Sequence, residues 1–340
     1  MITLYKDVFI EISGVCNARC PWCCTGNKSL NANKSEFMKS ETFQRLIERL
    51  FYLELVDKKT IIHLYNWGEP TLNPEVEKII ETIDEHNLRC GISTNASKYV
   101  EINPPLLNSI LYLTISMPGF SQKSYDKIHG FDFQKVLDNV EKYINYYGPS
   151  RVFIAYHLYQ FNIEEFPLAL NFFSKKKVIC LVYAAYFNDF NLMYSFLKRT
   201  MDSNTLKKAS EQLLLYYVDD LIKKCPVDYT CPQFDKLVID ELGNVLTCCA
   251  VPKDSRYYSL GSIFNLSSKD ILDKKTHQAI CEDCLKSGLA YWANNPYTPE
   301  FVNPIQMHAH LTVLFPKLWN ATQKAYLTMA NLYKSVRFRG

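Results

Sequence analysis

The sequence contains no apolar run long enough to cross a membrane, and it carries no strong net charge. Its 340 residues include 38 Lys and Arg against 35 Asp and Glu, for a formal charge of +3. So small a charge gives no reason to expect nucleic acid as a partner. The chain begins with a strand-like segment instead of a secretory signal, so we expect it to be cytoplasmic.

Cysteine, by contrast, is abundant. The chain has 12 cysteines, and without a secretory signal such a number indicates metal ligation instead of a disulfide framework. Apolar residues make up 48% of the chain. A globular chain of this length accommodates one large and one smaller domain, with a core sufficient for an enzyme.

Three of the cysteines form a compact group near the N-terminus. Cys16, Cys20 and Cys23 have the spacing C-x3-C-x2-C and follow the apolar segment 8–12. Thiolate ligands select iron–sulfur clusters or zinc. A structural zinc site takes four protein ligands, whereas three thiolates leave one iron of a [4Fe–4S] cluster open to a small molecule. The spacing therefore favours a catalytic cluster over zinc or a chance group of buried cysteines.

The same loop resembles the cluster loop of the radical S-adenosylmethionine (SAM) superfamily. In this family the open iron binds SAM, which is cleaved to a 5′-deoxyadenosyl radical. The resemblance implies that Trp22, the aromatic residue before Cys23, lies against cluster and cofactor. It extends to Gly68, Glu69 and Pro70, which match the family's Gly-Gly-Glu-Pro motif that binds the amino group of SAM.

Two further strand ends resemble SAM-binding segments of the family. Ser93 and Asn95 belong to a segment similar to the strand that ends in Thr-Asn-Gly, and Ser116 to one similar to Ser-x-Asp-Gly. The resemblance implies that these polar residues approach SAM. The sequence departs from the family pattern at Trp67, Ala96 and Pro118. Because Pro118 stands where the family has an aspartate, no acid is carried over to that position.

Strand-like and helix-like segments alternate over the first half of the chain. Apolar runs predict strands at 7–12, 60–65, 89–93, 110–116, 151–158 and 178–183. Segments 41–50 and 134–144 have apolar residues at helical spacing. This alternation predicts parallel βαβ crossovers and an α/β fold, and six units match the partial (β/α)6 TIM-like barrel of the radical SAM family. Functional residues are expected at the carboxyl ends of the strands.

A second group of cysteines lies in the C-terminal half. It consists of Cys231, Cys248, Cys281 and Cys284. Segments 236–240 and 244–248 flank Gly243 and predict a β-hairpin with a glycine turn. Four thiolates are enough for a fully protein-ligated cluster, although four-cysteine zinc sites use similar pairs.

This order of cysteines resembles the SPASM and twitch auxiliary domains and implies one auxiliary [4Fe–4S] cluster, as in the twitch form. The layout is similar to that of the twitch-bearing 2-deoxy-scyllo-inosamine dehydrogenases. After hydrogen abstraction from an alcohol carbon, the substrate radical must lose a proton and an electron, and an auxiliary cluster can accept the electron. The expected substrate is a sugar- or aminocyclitol-like small molecule, and the expected electron donor is a flavodoxin or ferredoxin.

His157 and Cys249 are the candidate catalytic groups, and Cys249, like Cys225, is also an alternative ligand of the second cysteine group. His157, late on a predicted strand, can take the substrate hydroxyl proton, and His63 on the second strand is a weaker candidate. Cys249 is a candidate hydrogen-atom donor for a redox-neutral epimerisation, which is the main alternative reaction. Each of these residues also fits a structural role, Cys249 as a small buried hydrophobe.

Two other functions stay open at this point. Many peptide maturases of the superfamily carry a leader-recognition module ahead of the cluster loop, and here fifteen residues precede Cys16, so a small-molecule substrate is favoured. Outside the enzymes, an iron–sulfur or zinc protein that binds a partner is the alternative. The three-cysteine loop together with Gly68, Glu69 and Pro70 argues against it.

The segments described so far predict four parts of the chain. They are a barrel at 1–189, a helical bridge at 190–224, a twitch-like domain at 225–290 and a tail at 291–340. The tail is aromatic and basic, and from Phe301 onward it contains no Asp or Glu. Such a tail can make peripheral membrane contact, but packing on its own domain is favoured.

Overall fold

The computed structural model describes residues 4–26, 36–215, 218–251, 253 and 255–295. From position 296 onward, the predicted tail at 291–340 lies outside the described residues. Its expected packing or membrane contact therefore stays a prediction.

Six parallel strands form the first part of a single sheet. They are β1 (Asp7–Ile10), β2 (Ile61–His63), β3 (Arg89–Thr94), β4 (Ile110–Met117), β5 (Val152–Leu158) and β6 (Ile179–Ala184). Each strand overlaps one of the predicted apolar runs, and each pairs in parallel with the next in chain order. The predicted α/β fold class is confirmed.

Helices connect these strands in all but one of the crossovers. They are α1 (Ser40–Tyr52), α2 (Val76–Glu85), α3 (Gln122–Lys127), α4 (Phe133–Tyr147) and α5 (Phe166–Lys175). Between β3 and β4 the connection contains a 3-10 helix, Pro104–Ser109. Local sequence sets the bounds of α4, because Asp132 accepts the Lys135 N–H at 2.8 Å and Gly148 takes φ +84° just after the last turn.

In the rest of the described chain, three helices are followed by three short strands and then by three further helices. The helices are α6 (Phe190–Leu197), α7 (Ser203–Gln212), α8 (Val218–Lys223), α9 (Ser268–Thr276), α10 (Ala279–Lys286) and α11 (Leu289–Asn294), and the strands are β7 (Lys236–Ile239), β8 (Asn244–Leu246) and β9 (Ser259–Ser262). The predicted hairpin is present, since β7 and β8 pair antiparallel and Gly243 turns at φ +80°. No helix among the described residues is long and apolar enough to span a membrane.

The hairpin extends the barrel sheet instead of forming a sheet of its own. β7 pairs in parallel with β1, with Asp7 opposite Lys236 and Ile10 opposite Ile239. The resulting order is β6-β5-β4-β3-β2-β1-β7-β8-β9. Without β7, the outer edge of β1 would present unpaired backbone groups. The parts predicted as barrel and auxiliary domain therefore share one nine-stranded sheet.

The two faces of β1 belong to different cores. Val8 and Ile10 are fully buried in the main core, which also contains the apolar face of α1. Phe9 points to the opposite face, because successive side chains of a strand alternate. There it packs beside Val238 and Leu246, which belong to a second, smaller core. β1 thus lies between the helix-covered core and the core of the auxiliary segment.

One arginine ties α1 to the connection after β9, and its loss should be measurable. Arg49 donates to Ile263 O at 3.3 Å and to Leu266 O at 3.0 Å. We expect Arg49→Met to lower the unfolding free energy of the apo-protein by about 1.5–3 kcal/mol, because both charged donors are lost. Anaerobic urea titration measures the change. The control Arg45→Met loses a cation–π contact with Phe264 and should cost about 0.5–1 kcal/mol. Equal losses of unfolding free energy in the two variants would contradict the role of Arg49 in joining α1 to the connection after β9.

Candidate active site

The cysteine loop begins where β1 ends, at the carboxyl edge of the parallel strands. The turn after β2 and the ends of β3, β4 and β5 reach the same edge. Two backbone hydrogen bonds hold the loop there. Val15 O accepts the Glu69 N–H at 2.8 Å, and His129 O accepts the Arg19 N–H at 3.1 Å. The loop is therefore fixed over the edge where parallel α/β folds place their sites.

Gly68 is the point at which the β2 turn meets the loop. A side-chain carbon at this position would lie 1.7 Å from Ser13 O, so only glycine permits the approach. The N–H groups of Trp67 and Gly68 donate to Glu11 Oε1 at 2.8 and 2.5 Å. These contacts give Gly68 a structural role, and its contact with SAM stays a prediction.

Trp22 anchors the loop by packing. Its ring is buried and meets Phe187 edge to face at 5.6 Å. Its Nε1 donates to Gln212 Oε1 at 3.0 Å, and its carbonyl accepts the Asn188 N–H at 2.7 Å. The predicted role of Trp22 against a cofactor stays a prediction beside this structural one.

The three loop cysteines lie close together and are partly buried. Burial raises the pKa of Cys16 to about 12 and that of Cys20 well above its usual range, and charge on Cys23 adds to both increases. A hydrogen bond with Cys24 lowers the pKa of Cys23 to about 7. Thiols that repel one another as thiolates are stabilised when they ligate metal.

Glu69 organises the turn after β2. Its buried carboxylate accepts from Thr71 N at 3.1 Å, Thr71 Oγ1 at 2.7 Å, Thr94 Oγ1 at 2.6 Å and Asn95 N at 2.7 Å. Burial raises the pKa of Glu69, and these donors oppose the increase. Pro70 begins the short 3-10 helix that Glu69 caps. Glu69 therefore binds the turn to the end of β3.

Asn95 links the end of β3 to the cysteine loop. Its Nδ2 lies 3.0 Å from Asn17 Oδ1 and 3.9 Å from Cys16 Sγ. Ala96, which replaces the family's glycine, has a φ of +55°, a left-handed conformation that glycine adopts at lower cost. Ser93 lies on β3 and is half-buried.

Two of the predicted residues meet across β4 and β5. Ser116 Oγ lies 3.2 Å from His157 Nε2. Burial lowers the pKa of His157 to about 4, so at neutral pH its imidazole is in the form that accepts a proton. Burial and, to a lesser extent, the electrostatic interaction with His157 lower the pKa of His129 to about 3. No sequence motif marks His129, and sequence analysis missed it.

All four auxiliary cysteines line one cavity. Cys231 immediately precedes the 3-10 helix Pro232–Asp235, Cys248 follows β8, and Cys281 and Cys284 lie one turn apart on α10. Most of the other lining side chains are apolar. The structure thus brings four thiols from three separate elements to one cavity, and their role as cluster ligands stays a prediction.

Cys249 is not among the residues that line this cavity. Its Sγ lies 3.5 Å from Gln233 Oε1, and burial raises its pKa to about 12. It packs against the smaller core of Val238 and Leu246, as Phe9 does. Cys249 is therefore a protonated thiol on the sheet face opposite α1.

His63 belongs to a hydrogen-bonded network on the same face as Phe9. Its Nε2 lies 2.8 Å from Asp7 Oδ1, and its Nδ1 lies 2.5 Å from Tyr112 OH, which in turn is 3.0 Å from Tyr65 OH. Phe9 stacks on the imidazole at 4.2 Å. Because both ring nitrogens are engaged, the structure favours a structural role for His63.

Two buried carboxyl groups behind the loop were missed by sequence analysis. Glu11 and Glu241 follow β1 and β7, and each has an Oε2 without a hydrogen-bond partner among the described residues. Lys253 Nζ lies 2.6 Å from Glu241 Oε1. Burial, followed by the charge of Glu241, raises the pKa of Glu11 to about 8. They are neighbours because β1 pairs with β7, a pairing that the sequence does not reveal.

Comparison with known sequences gives two matches. The sequence profile of the radical SAM superfamily matches residues 10–173. A probable GTP 3′,8-cyclase of Thermococcus kodakarensis is 25% identical over 146 residues, which make up 42% of this chain and 45% of the relative. The chain thus matches less than half the length of this curated relative.

Comparison with solved structures gives matches to the fold. BtrN in complex with AdoMet and 2-DOIA is 17% identical, with 85% of this chain and 89% of that chain covered and a TM-score of 0.50. Streptococcus suis SuiB bound to the precursor peptide SuiA is 15% identical, with 85% and 71% covered and a TM-score of 0.54. The protein anSMEcpe with bound AdoMet is 18% identical, with 88% and 99% covered and a TM-score of 0.51.

The fold, the cysteine loop and the comparisons agree on the class of protein. The chain is an α/β protein with an open parallel sheet and a three-cysteine loop at its carboxyl edge. It contains a radical SAM domain over residues 10–173, as the resemblance of its motifs predicted.

Glu69→Gln tests whether the buried carboxylate holds the turn in place. The amide nitrogen of Gln would face a donor that now meets a carboxylate oxygen, so we expect the unfolding free energy to fall by about 2–3 kcal/mol. Anaerobic urea titration of the apo-protein gives the value. The control Thr94→Val removes one of the four donors and should cost about 0.5–1.5 kcal/mol. A smaller loss for Glu69→Gln than for the control would refute this role.

The raised pKa of Glu11 predicts that the stability of the protein depends on pH. This pKa is raised from 4.5 to about 8 in the folded protein, so between these values the folded state holds a proton that the unfolded chain has lost. The unfolding free energy should therefore fall as pH rises through this window, by up to about 1.4 kcal/mol per pH unit. Glu11→Gln, which mimics the protonated acid, should remove this contribution to the slope, and the exposed control Glu85→Gln should keep it. Denaturant titrations between pH 5 and 9 decide, and equal slopes in all three proteins would contradict the prediction.

Proposed function

We propose that this protein is a radical SAM oxidoreductase with one auxiliary [4Fe–4S] cluster. Its reaction would be oxidation of an alcohol carbon in a sugar- or aminocyclitol-like small molecule. The observation that carries the proposal is the pairing of a three-cysteine loop at the sheet edge with a four-cysteine cavity in the same chain. Three thiols leave an iron open for a substrate, whereas four complete a cluster that can only exchange electrons.

The cysteine loop fits a [4Fe–4S] cluster with SAM. Cys16, Cys20 and Cys23 are partly buried and close enough to interact. Nearby, the amide Nδ2 of Asn66 and the Nδ1 of His129 are buried without a hydrogen-bond partner among the described residues, and a polar ligand would satisfy them. When bound, cluster and SAM would supply a 5′-deoxyadenosyl radical.

The four-cysteine cavity fits a second cluster better than zinc. In a [4Fe–4S] cluster each cysteine ligates a different iron, so the thiols surround a volume instead of converging on a point. The four thiols line one cavity whose other walls are mostly apolar. The cavity arrangement of Cys231, Cys248, Cys281 and Cys284 therefore favours a cluster.

Residues of the barrel would accept the proton of the substrate hydroxyl group. Oxidation of an alcohol to a ketone removes a hydrogen atom from carbon, then a proton from oxygen and one electron. His157 is neutral and bonds to Ser116 at 3.2 Å, so it can accept a proton or orient a hydroxyl through the serine. A pKa of about 4 leaves His157 a weak base at neutral pH.

Epimerisation is the second candidate, and one observation favours it. Cys249 holds a protonated thiol on the sheet face that Phe9 and His63 also occupy. A thiol on that face can return a hydrogen atom to a substrate radical, which leaves a thiyl radical on Cys249. One electron from the electron donor and one proton would restore the thiol, and the substrate would not be oxidised. The two reactions differ in whether the product is two electrons more oxidised than the substrate.

A peptide substrate and a non-catalytic partner-binding protein are less well supported. SuiB is bound to a precursor peptide and BtrN to the small molecule 2-DOIA; we favour the small molecule because the order of the C-terminal cysteines resembles that of the twitch domains. A partner-binding protein would not need an open iron position. We also propose a cytoplasmic location and a flavodoxin or ferredoxin as electron donor, because the loop cysteines fit an oxygen-sensitive cluster.

Iron counting tests the proposal directly. We expect the anaerobically reconstituted protein to hold about eight irons and the Cys16→Ala/Cys20→Ala/Cys23→Ala variant about four. The triple variant should form no 5′-deoxyadenosine from SAM, whereas Cys281→Ala/Cys284→Ala should still form it. Cys24→Ala, in the same loop, is the matched control and should keep all the iron.

The contrary outcomes are equally clear. A triple variant that holds zinc or no metal would remove the auxiliary cluster and favour the epimerase. A protein that holds iron but never yields 5′-deoxyadenosine would leave the partner-binding alternative.

A further inference from the structure

Lys275 is the only fully buried lysine among the described residues. It lies in the last turn of α9. An ammonium group has three donors, and the described residues offer it a single hydrogen-bond acceptor, Thr247 O, at 3.1 Å. Burial of an ammonium with so few partners is costly unless negative charge lies close by.

The negative charge within reach is that of the auxiliary cysteines. Thr247, the acceptor of Lys275, lines the four-cysteine cavity next to Cys248. Burial lowers the pKa of Lys275, while thiolate charge on Cys248, on the neighbouring Cys249, and on Cys281 and Cys231 raises it. The ammonium and these thiols therefore interact across the wall of the cavity.

Such a charge changes the redox behaviour of whatever the thiols hold. An iron–sulfur cluster with four thiolates is anionic, and it gains one further negative charge on reduction. A fixed positive charge nearby stabilises the reduced state more than the oxidised state, and the apolar walls of the cavity strengthen the effect.

We propose that Lys275 raises the reduction potential of the auxiliary cluster and so equips it to take the electron of a substrate radical. The proposal rests on the auxiliary cluster of the proposed function. In the balanced step, the substrate radical loses one proton to a base and one electron to the oxidised cluster. Lys275 does not touch the substrate. It acts indirectly, because its positive charge stabilises the reduced state of the cluster.

The test is a redox titration of the auxiliary cluster that is monitored by electron paramagnetic resonance. It uses the Cys16→Ala/Cys20→Ala/Cys23→Ala background, so that only the auxiliary cluster contributes. We expect Lys275→Met to lower the midpoint potential by about 59 mV or more, which is a tenfold change in the one-electron equilibrium. Lys275→Arg, which keeps the charge, should retain most of the original potential.

Lys274→Met is the matched control. Lys274 neighbours Lys275 on α9, but it is exposed and donates to Leu260 O at 3.0 Å. Its replacement removes the same charge from the protein as a whole and should leave the potential unchanged. Equal potentials in Lys275→Met and Lys274→Met would overturn the proposal.

Three further outcomes are decisive. If Lys275→Met folds, by circular dichroism, but holds no iron while Lys275→Arg does, the site needs the positive charge to assemble, which supports the charge pairing. If both variants lose the iron, Lys275 serves packing and the proposal fails. A background protein without iron contradicts the proposed auxiliary cluster itself, and the iron analysis separates that result from a failure of Lys275.

Discussion

The close approach of the β2 turn to the cysteine loop is the contact on which the site depends. Gly68 lets the turn pass directly beneath Ser13, and the Glu69 N–H bonds to Val15 O at 2.8 Å. The carboxylate of Glu69 then fixes the end of β3, where Asn95 reaches the Cys16 sulfur. A loop without secondary structure of its own is thereby held by three strands.

Three buried ionisable side chains of this protein differ in how completely they are paired. Glu69 is fully satisfied by neighbouring donors, so it stabilises the fold. Glu11 has an unpartnered oxygen in the described structure and responds by a raised pKa. Lys275 has one acceptor and a wall of thiols. Buried groups with incomplete pairing tend to mark sites that act, and here they lie beside the two cysteine groups.

Local patterns in the sequence predicted much of this arrangement. Ligand spacing within one loop and the glycine turn at Gly243 are local features, so the three-cysteine loop and the hairpin could be predicted. The second cysteine group spans three elements and was predicted from its resemblance to auxiliary domains. Partners distant in sequence were not, because one chain gives no pairing information: β7 against β1, Glu11 beside Glu241, and His129 beside His157. The packing role of Trp22 likewise depends on Gln212, far along the chain.

The central claim is that the loop and the β2 turn together form a cluster site open to SAM. The most direct measurement is the electron paramagnetic resonance spectrum of reduced protein in which Cys231, Cys248, Cys281 and Cys284 are all replaced by Ala. With only the loop cluster left, added SAM should change the spectrum, because it would bind the open iron. A spectrum of a [4Fe–4S] cluster that stays the same at saturating SAM would contradict the account.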